Sequence, residues 1–266
     1  MSELLVASAI VRAHPEGVRS DVHRARGAGP LKLLTPRAAG NAAWIVTSSL
    51  GGGLVDGDAV ALDVEIDTGA TAVVTTQAST KAYKGRAHQE LRVRAGEGAN
   101  AIVVPDHLVP FANARVVQAT RLDLASSASL VLCDILTAGR IAHGEVWACE
   151  RVDLTLSIMR GGVPRLVDRV VLDRAHGSIP ERMHGVGAIA TCVVLGPRVA
   201  EQARTVLARV AQMPLRGEIV MAASPLDEGV LVRIAGPNIE RVITATRAQL
   251  VDACAALGED PWARKW

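Results

Sequence analysis

The 266-residue chain is 49% hydrophobic and 21% charged, which excludes a disordered polymer and leaves room for a substantial core. Its net charge of +2 comes from scattered basic residues and aromatics make up only 2%, so neither a phosphate-tracking stripe nor a base-stacking platform is expected. Length alone allows one large domain or two small ones.

The first fourteen residues lack the basic region and long apolar core of a signal peptide. No apolar run approaches the ~20 residues a membrane helix needs. Cys133, Cys149, Cys192 and Cys254 show no Cys-x-x-Cys spacing and each sits in an apolar run, as expected of buried free thiols in a reducing compartment. These features predict a soluble cytoplasmic protein with no membrane or nucleic-acid partner.

From about residue 31 to 195 the pattern is β throughout. Short apolar or alternating runs cover 42–48, 59–66, 70–76, 90–94, 100–104 and 114–124, then 130–136, 145–159, 165–173 and 186–195. Asp67-Thr68-Gly69 and Gly96-Glu97-Gly98 are turn signals between them, and Arg160-Gly161-Gly162 reads as a hairpin turn. Leu91, Val93 and Ala95 alternate with Arg92 and Arg94, the pattern of a strand with one wet face. Such a series fits a sandwich, a barrel or a β-helix-like stack, and periodicity does not choose among them.

Beyond about residue 196 the character changes. Val199, Ala203, Val206, Leu207 and Val210 fall at helical spacing, and Pro214 ends that helix. Runs 218–223 and 229–234 read as a strand pair. Asn238 then caps a second helix whose apolar stripe runs from Ile239 to Cys254 and stops before Gly258. No Gly/Pro/Ser-rich linker precedes residue 196, so both helices are expected to pack on the β body within a single domain spanning 1–266.

Four segments carry the polar chemistry. In Gly51-Gly52-Gly53-Leu54-Val55-Asp56-Gly57-Asp58, glycines free the backbone around two carboxylates. The segment lacks the Gly-Lys-Ser/Thr of a phosphate loop, and its simplest reading is a tight turn. A carboxylate pair holding a cation through oxygens is the alternative. Thr75-Thr76-Gln77-Ala78-Ser79-Thr80-Lys81 matches no serine-nucleophile motif and reads as a polar strand end or as the lining of a channel. In the third segment, Asp106 and His107 are adjacent on a loop-like stretch, and neighbours on an extended backbone point apart. In the fourth, His143 and Glu145 would share a face if extended, a spacing that allows a metal but not the helical zinc-protease arrangement. Arg140 beside them is expected to pair a carboxylate.

In order and spacing, these motifs resemble the urease accessory protein family UreD (UreH). The resemblance rests on the Gly51 and Thr75 segments, on Pro105-Asp106 with Phe111 and Ala114-Arg115, and on Asp134, Leu136-Thr137, Gly139-Arg140 and Gly144-Glu145. Gly29-Pro30-Leu31-Lys32-Leu33-Leu34 and the closing Pro261-Trp262 to Trp266 are similar to the family's two ends, so nearly the whole chain is covered. The resemblance implies a mainly β, helicoid stack of many short strands with two α-helices in the C-terminal half. It also implies a non-catalytic scaffold that binds UreF, which recruits the GTPase UreG, and an assembly that delivers nickel to apo-urease. Asp58, Ser79 and Glu145 match positions implied to line a nickel route, and Glu181 matches them loosely, because the sequence departs from the family pattern around Met183-His184. The other readings are a β-rich interaction module without a metal path and a metal-dependent hydrolase using Asp58, Asp106, His143 and Glu145.

Overall fold

The computed structural model describes residues 3–15, 17, 19–37, 40–214 and 216–263. In chain order the strands are β1 (Leu5–Ala13), β2 (Ser20–Arg26), β3 (Leu31–Leu34), β4 (Ala43–Ser49), β5 (Ala59–Ile66), β6 (Thr71–Thr76), β7 (Thr80–Ala82), β8 (Gly85–Ala95) and β9 (Asn100–Val103). They continue with β10 (Leu108–Pro110), β11 (Ala114–Leu124), β12 (Ser129–Thr137), β13 (Arg151–Arg160) and β14 (Val163–Asp173). A short helix α1 (Ile179–Met183) is followed by β15 (Ala188–Leu195), α2 (Ala200–Ala211), β16 (Val220–Leu226), β17 (Gly229–Gly236) and α3 (Ile239–Ala256).

Two sheets face one another. One has seven strands in the order β14-β13-β11-β8-β5-β1-β2; the other has ten, with the path β16-β17-β15-β12-β9-β6-β4-β3 and β7 and β10 attached beside it. From β4 to β13 the chain alternates between the sheets, and successive strands within each sheet pair in parallel. This is the helicoid alternative among the three architectures the strand pattern allows.

Three coils share one repeat length. Ala43, Ala72, Ala101 and Leu130 stand in register on the ten-stranded sheet, each step the same sequence distance apart. Val64, Val93 and Leu122 do the same on the seven-stranded sheet. The Gln89–Gln118 pair gives that distance as 29 residues. The turns at one end repeat with it: the amides of Ala70, Ala99 and Ala128 bond back to the carbonyls of Asp67, Gly96 and Ala125 at 3.0, 3.1 and 3.1 Å. Positive φ at Gly69 and Gly98 closes the first two of these turns.

The space between the sheets is filled by inward residues of alternating strands, among them Val64, Ile66, Leu122, Leu130, Leu132 and Ile158. Each such aliphatic contributes roughly 1.5–3 kcal/mol when fully buried. A second core lies on the other side of the ten-stranded sheet, where α2 and α3 cover Trp44, Val73, Ile102, Val131 and Cys192. Strands β9 and β12 are therefore apolar on both faces. The outer face of the seven-stranded sheet is wet and laced with ion pairs. Glu90 meets Arg92 at 2.6 Å, and Asp153 meets Arg151 and Arg169 at 2.7 and 2.8 Å.

Several boundaries differ from those expected. Strands β1 and β2 lie in the first thirty residues, where the sequence pattern marks no element, because their alternation mixes Ser, His and Arg with small apolar residues. The run expected as one strand over 145–159 begins its strand only at Arg151. Glu145 sits in a loop after a single 3-10 turn, Ile141–His143, so His143 and Glu145 are not on an extended backbone and the shared-face geometry does not form. Both long helices lie where the apolar spacing puts them, with Asn238 Oδ1 accepting from Arg241 N at 3.0 Å. Among the described residues no disulfide joins the four cysteines, and all four are buried. Of the closing motif, residues 264–266 lie outside the described residues.

Candidate functional site

The four polar segments of the sequence occupy one end of the stack. Each is the return loop by which successive coils pass from the ten-stranded to the seven-stranded sheet: after β4, after β6, after β9 and after β12. They lie on one another through backbone bonds. Leu54 N donates to Lys81 O at 2.7 Å, Thr80 N to His107 O at 3.0 Å and Phe111 N to Ala82 O at 2.9 Å, and Leu108 pairs with Leu136. Gly53 permits the first of these approaches, since a Cβ there would lie 2.5 Å from Lys81 O.

Just inside this end polar side chains join the leucines and valines between the sheets around a cavity of about 390 Å³. Thr47, Thr76 and Asp134 line it from the ten-stranded sheet, and Gln89, Gln118 and Thr120 from the seven-stranded sheet. The same strands that turn Ala, Val and Leu inward in the middle of the stack turn hydroxyls, amides and a carboxylate inward here. Gln89 Nε2 donates to Gln118 Oε1, and Gln118 Nε2 donates across to Asp134 Oδ2 at 2.5 Å. Thr76 Oγ1 accepts from Asp106 N at 2.8 Å and donates to Asp106 Oδ2 at 3.1 Å.

Asp134 faces this space with an amide, rather than a cation, as its hydrogen-bond donor. Desolvation pushes its carboxyl up to about 6, against the lowering effect of the Gln118 amide and the Ile135 backbone. Glu90 also borders the cavity, but its head group points to the outer face. Burial there would raise its carboxyl, yet hydrogen bonding from Arg92 and the charges of Arg92, Arg121 and His88 bring it below the ordinary glutamate value.

Of the residues carried over from the sequence, Ser79 lines the cavity. Asp58 stands on the turn before β5, half-buried, and its Oδ2 accepts from Val55 N at 2.8 Å. Its neighbour Asp56 accepts from Arg86 N at 2.7 Å. Glu145 is clamped: Arg140 Nε donates to Oε2 at 2.9 Å, the second nitrogen of Arg140 reaches Oε1, and Ala112 N donates to Oε2 at 3.2 Å. Hydrogen bonding from Arg140, more than offsetting burial, holds the Glu145 carboxyl below its usual range. Glu181 is exposed on α1, where Ser178 Oγ accepts from its backbone amide at 3.4 Å. Asp58, Glu145 and Glu181 do not border the cavity, and among the described residues no three His, Cys, Asp or Glu side chains converge as a preformed metal cage. Asp58, Asp106, His143 and Glu145 are not brought together as such a group among the described residues.

Asp134, Gln118 and Gln89 do not stand out as a site in the sequence. Gln118 and Gln89 are interior polar residues on otherwise apolar columns, and a 29-residue alignment of the chain on itself is the signal that exposes them.

A family model described as UreD urease accessory protein matches residues 6–266. The chain is 43% identical over 251 residues to a urease accessory protein UreD of Sorangium cellulosum, covering 93% of this chain and 80% of that protein. It is 40% identical over 261 residues to a protein of the same name in Anaeromyxobacter, covering 92% and 88%. Over 270 residues it is 33% identical to urease accessory protein D of Arabidopsis thaliana, covering 88% and 92%.

Proposed function

The chain belongs to the UreD urease accessory protein family, and from that premise we propose that it is a maturation scaffold whose interior conducts nickel toward apo-urease. Membership makes it an accessory factor rather than the catalyst of urea hydrolysis. In this reading it docks on apo-urease, binds UreF, and works with the GTPase UreG, which UreF recruits. Nickel is cargo in transit rather than a resident cofactor.

The observation that carries the conduit is the cavity at the loop end of the stack. A packed core is dry and dense, so a space of this size between two sheets, with Asp134, Gln118, Thr76 and Ser79 set among leucine and valine side chains in its lining, is a departure from ordinary packing. Its lining is suited to transit. Carboxylate, amide and hydroxyl oxygens hold Ni²⁺ more weakly than thiolates, and Cys133 and Cys192 are turned to the helix side of the sheet, away from it. Asp58 and Glu145, on the stacked loops at the same end, are assigned to the approach to the cavity, and Glu181 to its periphery.

One observation favours the plainer reading, an interaction module without a metal path: Glu145 has both oxygens occupied within the chain. The two readings part in a co-expression experiment. Asp58→Ala and Glu145→Leu are expected to retain capture of UreF and apo-urease in a pull-down and to lower the nickel content of the matured urease. Full nickel loading by both variants at limiting nickel leaves docking as the whole function.

A further inference from the structure

Strands β2 and β3 end the two sheets on the same side of the molecule, β2 closing the seven-stranded sheet and β3 the ten-stranded one. A tight turn joins them, with Ala28 N donating to Leu31 O and Leu31 N to Ala28 O, each at 3.0 Å. Between residues 19 and 37 stand Arg19, Arg24, Arg26, Lys32 and Arg37 against the single acid Asp21, a net +4 where the whole chain carries +2. The rest of the molecule is thus slightly acidic, and its basic charge is gathered on this edge.

Ala7, Ala9 and Val11 of β1 are buried between the sheets, so Ser8 and Ile10 face outward, and they stand opposite Arg26 and Arg24. Strand β1 has no acidic residue to offer these two exposed arginines. Among the described residues no ion pair engages Arg24, Arg26, Lys32 or Arg37. The other end strand of the same sheet, β14, differs: its Arg165, Asp168 and Arg169 are paired with Asp227, Arg233 and Asp153. The β2 backbone is open as well. Among the described residues, 21–26 bond through their backbone to β1 alone. Like charges and the bulge between the Ile10 and Val11 pairings guard such an edge against a second copy of the chain. They do not guard it against an acidic strand, whose carboxylates would stand cross-strand from Arg24 and Arg26.

We propose that the β2 edge takes an extended acidic segment of a partner protein as an added strand. Backbone bonds to β2 would hold the segment, Arg24 and Arg26 would pair its carboxylates, and Lys32 on the neighbouring edge would add to the attraction. A nucleic-acid strand fits less well. It would leave the backbone groups of β2 unpaired, and residues 19–37 hold no Phe, Tyr or Trp on which bases could stack.

The test is fluorescence anisotropy of a labelled peptide alternating glutamate and valine, titrated with the purified full-length chain. Three further probes accompany it: the lysine–valine counterpart, the acidic peptide with its backbone amides N-methylated, and a single-stranded oligonucleotide. Strand addition predicts that the acidic peptide binds, that the lysine peptide does not, and that N-methylation weakens binding by about tenfold or more. Arg24→Gln/Arg26→Gln is expected to weaken the acidic peptide by about tenfold as well. Both side chains are exposed, so this variant should keep its fold, which far-UV dichroism checks; should it not, the N-methylated peptide on the unaltered chain still decides. No binding of the acidic peptide, equal binding of its N-methylated form, or undiminished binding by the folded double variant overturns the proposal. Tighter binding of the oligonucleotide than of the acidic peptide makes the edge a phosphate site and overturns it too.

Discussion

At the scale of single residues, Asp134 is the position whose chemistry departs most from its surroundings. Its carboxyl is pushed up to about 6, above the ~3.9 of an unfolded aspartate, by desolvation. A raised folded value means the native state binds the proton more tightly. The contribution to stability is therefore fully present below about pH 4 and is lost as pH rises through about 6. Asp134→Asn keeps the Gln118 bond through its amide oxygen and removes the titration. At pH 8 it is expected to be more stable than the unaltered chain by roughly 2–3 kcal/mol, and its melting temperature should vary less between pH 5 and 7. Thermal melts across that range check this; a pH profile that the substitution leaves unaltered would show that Asp134 carries no buried charge. Gain of stability on losing a carboxylate is also the mark of a residue kept for function rather than for folding.

At the scale of elements, the coils are held by columns of small residues as much as by large ones. Ala101 is fully buried and stands between Ala72 and Leu130 in register, so the sheets approach closely along this line. Ala101→Leu has no space to enter and is expected to destabilise by roughly 1–3 kcal/mol. Strands β15, β17 and β16 extend the same ten-stranded sheet that carries the coils, and α2 and α3 pack across it. We accordingly expect the chain to unfold as one domain. In urea, tryptophan fluorescence and far-UV dichroism should report a single coincident transition, moved to lower denaturant by Ala101→Leu. Two separated transitions would divide the β body from the segment after residue 196.

At the scale of the whole molecule, the strand run, the two long helices and the four polar loops are legible in the sequence because each depends on local spacing. Leu91 and Val93 alternate with Arg92 and Arg94; Val199 to Val210 keep a helical stripe; Asn238 caps. What local spacing lacks is the third dimension. The 29-residue repeat is carried by Ala70, Ala99 and Ala128 at one end but by Thr47 and Thr76, then Asp134, near the other, so the columns differ in chemistry along the stack. The pattern puts Glu145 on a strand because Val146, Trp147 and Ala148 continue the apolar run, whereas Trp147 takes φ +51° and breaks it. Ser79 reads as part of a polar strand end and lies in the connection between β6 and β7; that it shares a cavity with Gln118 and Asp134 follows only from the helicoid path. None of the described helices is long and apolar enough to cross a membrane.

Passage of nickel to apo-urease through the cavity between the sheets is tested by the nickel content per active site of urease matured in cells at limiting nickel, with the unaltered chain or with Asp134→Asn. Recovery of the complex with UreF and apo-urease is measured from the same lysates. Conduction through the cavity predicts complexes in undiminished amount and urease carrying less than about half its normal nickel, since the variant removes a charge facing the cavity without loosening the fold. Urease fully loaded by Asp134→Asn, with the complex equally abundant, would contradict it.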